Sequence, residues 1–147
     1  MNYILFVWIT FDYTQAFFDL LTLRCGLIVD FINYYRRFYL DRIYFCPHHP
    51  DKGFKGEITE LKVTCSCRKP EIGLIQKAVQ DFNLDLSSSW FIGDTTIDVA
   101  CAKNARIKSI LVETGHKGED KKYDVHPDFK FPSLIEAVNL ILSEVIS

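Results

Sequence analysis

Three short segments carry residues able to do chemistry together: Cys46-Pro47-His48-His49-Pro50, Cys65-Ser66-Cys67-Arg68-Lys69-Pro70 and Gly93-Asp94-Thr95-Thr96-Ile97-Asp98. One residue separates Cys46 from His48, one separates Cys65 from Cys67, and sixteen lie between His48 and Cys65. Three thiolates and an imidazole suit tetrahedral zinc, and four protein ligands describe a closed, structural site. The one-residue gaps are tighter than the two-to-four spacing of common zinc fingers, so buried thiols beside exposed histidines is the competing reading. His48 and His49 are alternative donors at the fourth corner.

Arg68 and Lys69 follow the second cysteine pair directly. A guanidinium grips phosphate or hydroxyl oxygens through its planar fork, while an ammonium offers a compact charge. Phosphoryl transfer needs such charge on the equatorial oxygens. Asp94 follows an apolar strand, which points its carboxylate at the sheet's carboxyl edge, where a hard oxygen suits Mg2+. Asp98 lies one helical turn further on and can orient the site from behind. The plainer alternatives are a solvated basic pair, and a helix cap at Asp94 or Thr95.

The elements that must hold these residues follow from patterning. Strand Tyr3–Ile9, a helical stretch from about Ala16 to Tyr39 and a short strand Arg42–Phe45 precede the Cys/His loop. Pro70 suits the first turn of a helix through Glu71 to Phe82, with Ile72, Ile75, Val79 and Phe82 on one face. Strand Trp90–Ile92, a helix through Ile97 to Lys103 and strand Ile107–Val112 come next. A polar loop over Lys117 to Pro127 leads to an edge strand Phe129–Phe131. Pro132-Ser133 opens a helix to Val145 with Leu134, Val138 and Ile141 inward. Strands alternating with helices imply a parallel sheet covered on both faces, with ligands at the carboxyl ends of its strands.

The chain has 147 residues, 48% of them apolar and 24% charged, with a net charge of −2. That suits one soluble domain with one core, and gives no reason to expect nucleic acid or an anionic membrane as partner. Any phosphate must be held by local charge. Five cysteines, with no secretory pattern, favour a reducing cytoplasm over a disulfide framework. No apolar run approaches the roughly 20 residues that a membrane span needs. Composition shifts near residue 46: fourteen of the 21 aromatic residues lie in the first 45 positions, which hold no lysine and a single glycine, Gly26.

The three motifs in this order resemble the haloacid dehalogenase superfamily, and within it the D-glycero-D-manno-heptose 1,7-bisphosphate 7-phosphatases and the related histidinol-phosphate phosphatases. The resemblance runs from about Asp41 to Gly115, and more loosely to the C-terminus. It implies a Rossmann-like α/β fold, a parallel sheet with helices on both faces, incomplete at the N-terminal side and carrying a zinc loop. The expected organisation is one domain over 1–147, with an atypical opening at 1–45, the zinc loop at 46–70 and a C-terminal α/β half at 71–147. It implies Zn2+ on Cys46, His48, Cys65 and Cys67, and Mg2+ on Asp94 with Asp98 behind it. Lys69 would stabilise the transferring phosphoryl group, and Arg68 would recognise substrate. The implied substrate is a small phosphorylated sugar, dephosphorylated by a cytoplasmic monomer on the route to the nucleotide-activated heptose of lipopolysaccharide.

The sequence departs from the family at two places. Thr95 stands where the family often has lysine. No Asp-x-Asp, the family's nucleophile and acid–base pair, occurs anywhere in the chain. Strand Tyr3–Ile9 resembles the family's second strand, which makes Thr10 a weak phosphate-binding candidate, and Asp12 is a lone carboxylate without the partner Asp. The N-terminal side therefore reads as shortened. Heptose bisphosphate hydrolysis, histidinol-phosphate hydrolysis and an inert zinc-stabilised phosphate- or partner-binding fragment all remain open.

Overall fold

The computed structural model describes residues 5–7, 41–53 and 55–146. Their sheet has four strands in the order β1-β2-β3-β4: β1 Leu5–Val7, β2 Trp90–Gly93, β3 Lys108–Val112 and β4 Phe129–Phe131. All three pairings are parallel, with Val7 opposite Ile92, Ile92 opposite Ile110 and Val112 opposite Phe131. Helices α1 (Gly73–Phe82), α2 (Thr96–Ala105) and α3 (Leu134–Ile146) supply the covering layers.

The period of two along β2 decides what each face packs against. Phe91 faces α1 and α2, in a cluster with Ile75, Cys101, Ala102, Ala105 and Ile107. Trp90 and Ile92 face the other way, and with Ile110 and Val112 they meet Ala137 and Ile141 of α3. All four residues of β2 are buried, as expected for a parallel strand covered on both sides. Helix α1 ends where Asn83 takes the left-handed conformation (φ 51°) and its N–H returns to the Val79 carbonyl, a role that asparagine tolerates better than most residues.

Two expected elements differ from what forms. Residues 42–45 make no strand. Instead Arg42 and Tyr44 both reach Asp81 on α1, at 3.0 and 2.6 Å, so side-chain bonds to a helix replace ladder pairing. Pro70 is not in the first turn of α1, which starts three residues later; the Lys69–Pro70 peptide is cis. Strand β1 lies directly beside β2. The rest of the predicted Tyr3–Ile9 strand, the helix over 16–39, Thr10 and Asp12 lie outside the described residues. Among the described residues no helix is long and apolar enough to cross a membrane.

Candidate functional site

The loop between residues 46 and 67 folds back on itself. The His49 amide donates to the Leu61 carbonyl at 2.9 Å, and Lys62 pairs with Glu57 at 3.3 Å. This closure brings Cys46, His48, Cys65 and Cys67 together, with all four donor atoms within 4.8 Å of one another. Sulfur–sulfur distances are 3.0 Å for Cys46–Cys67, 3.1 Å for Cys65–Cys67 and 3.4 Å for Cys46–Cys65. His48 Nδ1 lies 3.3 Å from Cys67 Sγ and 3.8 Å from Cys46 Sγ. A zinc tetrahedron with bonds of about 2.3 Å has edges of about 3.8 Å, so the sulfurs need to spread by less than about 1 Å. Of the two histidines, it is His48 that joins the cluster; His49 Nδ1 faces Asp51 at 3.8 Å.

The thiols of the cluster also shift one another. Burial pushes all three thiols up. For Cys65, bonds from Cys67 and Cys46 outweigh that effect and bring it to about 6. Cys67, made to keep its proton by burial and by those neighbours, is pushed up to about 12. Three adjacent sulfurs cannot all ionise against one another, and a divalent cation removes that conflict.

The same loop aims the basic pair. Arg68 donates to the His48 carbonyl at 2.9 Å, so one residue offers its ring to the cysteines and its backbone to the guanidinium. The loop is tied to α1 by the Gly73 amide, which donates to the Ser66 carbonyl at 2.8 Å. Lys69 turns inward, with 9% of its side chain exposed, and forms an ion pair with Asp98, which is 1% exposed. Burial holds the lysine's pKa below its ordinary value, although Asp98 and, more weakly, Cys101 and Asp94 pull it up.

Asp98 serves the helix as well as the lysine. It accepts the Thr95 amide at 3.0 Å and the Thr95 hydroxyl at 2.6 Å, while Thr95 Oγ1 accepts the Asp98 amide. This reciprocal capping box starts α2. Thr95 is therefore the cap, 4% exposed, and its hydroxyl is turned to Asp98. Gly93 is the residue that lets this happen, because a Cβ there would collide with the Asp98 side chain. Asp94, half-buried, leaves the end of β2 and accepts the His116 amide on Oδ2 at 2.9 Å. Its own carbonyl accepts from Gly118 at 2.8 Å.

Several contributors were not evident from patterning. The loop after β3 supplies the His116 amide and a close approach at Gly115, which has φ +79° and whose Cβ would collide with the Asp94 carboxylate. Asp120 ties that loop to the start of α2 by accepting the Thr96 amide and hydroxyl at 2.7 and 2.6 Å. Asp128 ties β4 to β3 by accepting from the Ser109 amide and hydroxyl at 2.8 and 2.7 Å. Thr114-Gly115 after an apolar strand is a turn signal in the sequence; nothing in the spacing singles out Asp120 or Asp128.

A family model described as HAD-hydrolase-like matches residues 66–137, which run from the second cysteine pair through Lys69, Asp94 and Asp98 into α3. The matched segment, just under half of the chain, is similar to that family. Among similar proteins, the D-glycero-beta-D-manno-heptose-1,7-bisphosphate 7-phosphatase of Yersinia pestis is 44% identical over 77 residues, covering 52% of this chain and 39% of that protein. The protein of the same name from Haemophilus ducreyi is 37% identical over 100 residues, covering 67% and 52%. The crystal structure of D,D-heptose 1,7-bisphosphate phosphatase from B. bronchiseptica, complexed with magnesium and phosphate, shares the fold with a TM-score of 0.60 at 24% identity, covering 84% of this chain and 65% of that one. The chain spans about half the length, or less, of these curated relatives.

Proposed function

We propose that this chain provides the phosphate- and metal-binding part of a heptose 1,7-bisphosphate 7-phosphatase site, acting on the 7-phosphate of a small sugar bisphosphate destined for nucleotide-activated heptose of the lipopolysaccharide core. The observation that carries the reading is the meeting of Lys69 with Asp98. It seats the end of the cysteine loop, gathered by Cys46, His48, Cys65 and Cys67, against the turn that bears Asp94. The named relatives supply the substrate class.

In this reading Cys46, His48, Cys65 and Cys67 hold a structural Zn2+ that keeps the 46–70 loop closed. Asp94 holds Mg2+, a hard carboxylate oxygen suiting a hard cation, and that ion supplies charge neutralisation for the phosphoryl oxygens when bound. Lys69 presents its ammonium to the same oxygens, and Asp98 keeps it oriented. Arg68, braced on the His48 carbonyl, recognises the sugar phosphate. Thr10 is a further phosphate-binding candidate. The 46–70 loop and the 71–147 half act as parts of a single domain. Free thiols suit a reducing compartment, and the reading takes the protein as a cytoplasmic monomer.

The missing Asp-x-Asp favours a second reading, in which the chain binds zinc and phosphate without turnover, because a covalent nucleophile carries much of the rate in such chemistry. Phosphate release with Mg2+ from heptose 1,7-bisphosphate and from histidinol phosphate decides among them. Release from the heptose bisphosphate that disappears in Asp94→Ala supports the phosphatase. Preference for histidinol phosphate reassigns the substrate, and no release above that control leaves the binding protein.

A further inference from the structure

The loop after β3 has to be held in place before it can hold anything else. Residues 113–117 are exposed, yet the loop's amides fix Asp94 at two points: His116 N–H on Oδ2 at 2.9 Å and Gly118 N–H on the main-chain oxygen at 2.8 Å. Asp120 is the carboxylate that anchors it. It accepts from both the amide and the hydroxyl of Thr96, the first residue of α2. Thr96 Oγ1 in turn accepts the amides of Lys122 and Tyr123, at 3.1 and 3.2 Å. Thr96 is thus a hub that binds Asp120 and the amides just after it. Because Asp94 and Thr96 are only two residues apart, the latch closes the loop onto the turn that carries the carboxylate. Gly115 completes the arrangement by leaving room for Asp94 Oδ2.

We propose that Asp120, acting through Thr96, and Gly115 are positioning residues for divalent-cation binding at Asp94: they fix the loop amide that selects which carboxylate oxygen faces the cation. The proposal rests on the reading above that Asp94 binds Mg2+. An outer partner that orients a metal ligand is worth roughly 10–100-fold in metal affinity. Asp120 acts through one more link, so the low end applies. Asp120→Asn keeps an acceptor for Thr96 but removes the charge, and is a partial rescue.

The test is calorimetric titration of the purified chain with Mg2+ alone, with thermal melts in parallel. The set is wild type, Asp94→Ala, Asp120→Ala, Asp120→Asn and Gly115→Ala, with Ser109→Ala as a control that breaks a comparable latch away from Asp94. Asp120→Ala and Gly115→Ala are expected to weaken Mg2+ about tenfold, Asp120→Asn to fall between, and Ser109→Ala to leave the affinity unchanged whatever it does to the melt. Wild-type affinity in folded Asp120→Ala and Gly115→Ala overturns the proposal while leaving the Asp94 site intact. If Asp120→Ala does not fold, Asp120→Asn and Gly115→Ala decide the matter by the same comparison. Mg2+ binding by wild type that is absent, or unaffected by Asp94→Ala, overturns the underlying reading and this proposal with it.

Discussion

Replacing Asp98 with alanine tests the joint between the cysteine loop and the Asp94 turn. The carboxylate is 1% exposed and faces an ammonium 9% exposed, so neither charge has ready access to water. Removing one partner of such a pair costs about 3–5 kcal/mol, because the survivor keeps its desolvation penalty without its compensation. The same substitution strips the α2 capping box, worth about 1 kcal/mol by itself. Since one residue performs both roles, the two losses overlap, and about 4 kcal/mol is expected. Asp98→Asn retains an acceptor for Thr95 and should lose about 2–3 kcal/mol. Urea unfolding followed by circular dichroism measures both, provided the slope stays that of wild type.

The pH dependence sharpens this test. Burial holds Lys69 below the ordinary lysine value while Asp98 is its largest upward pull. Between the folded and unfolded pKa values the unfolded chain holds the extra proton, so stability rises with pH across that window. Loss of Asp98 lowers the folded value further and opens the window at lower pH. Asp98→Asn should therefore regain stability between neutral pH and about pH 10 more than wild type does. Adding Lys69→Met to Asp98→Asn should recover much of the loss at neutral pH, since no buried charge is then left alone. A cost below about 1 kcal/mol for Asp98→Ala, with no alkaline recovery in Asp98→Asn, would refute the claim that this pair is a closed, desolvated contact.

The Cys/His cluster should carry one Zn2+ per chain by elemental analysis. Strong chelation or Cys65→Ser should lower the melting temperature, and a zinc content far below one contradicts the four-donor site. In acid, Asp128 provides a separate handle. Burial disfavours its charge, but Lys103 at 2.7 Å and the Ser109 hydroxyl and amide outweigh that and hold it at about 2, against an ordinary 3.8. Its contribution is thus present above the ordinary value and lost as pH falls through about 2. With the carboxylate side chain 37% exposed, screening reduces it to about 1 kcal/mol. Acid titrations of stability should be flatter over that range in Asp128→Asn, and an unchanged profile would exclude the Lys103–Asp128–Ser109 link as its source.

The four donors and the basic pair were legible in the sequence because chemistry-bearing residue types are rare and their spacing is short. The sheet was legible because Trp90–Ile92 and Ile110–Val112 are short apolar runs, as a sheet covered on both faces requires. Residues 42–45 misled for the opposite reason. Arg-Ile-Tyr-Phe has strand composition, but strand composition describes a half-buried pleated surface rather than a backbone preference. Here Arg42 and Tyr44 found Asp81 on α1 instead. Pro70 misled more mildly, since a proline suits a helix start and a tight bend equally well.

Asp98 shows where sequence reasoning stops. Its position one turn after Asp94 supported a role behind that carboxylate, while a helix cap was expected at Asp94 or Thr95. The cap forms at Thr95 with Asp98 as its partner, and Asp98 fills both roles because a carboxylate has two oxygens and about four acceptor directions. One oxygen closes the capping box and the other meets Lys69. Shared use of this kind depends on a contact 29 residues apart in the chain, which no local pattern encodes. The same holds for Asp120, which reaches 24 residues back to Thr96. A site assembled from such long-range bonds forms only once the sheet has brought its loops to one edge, so the chemistry of Asp94 depends on the packing of β2 and β3 as much as on its own carboxylate.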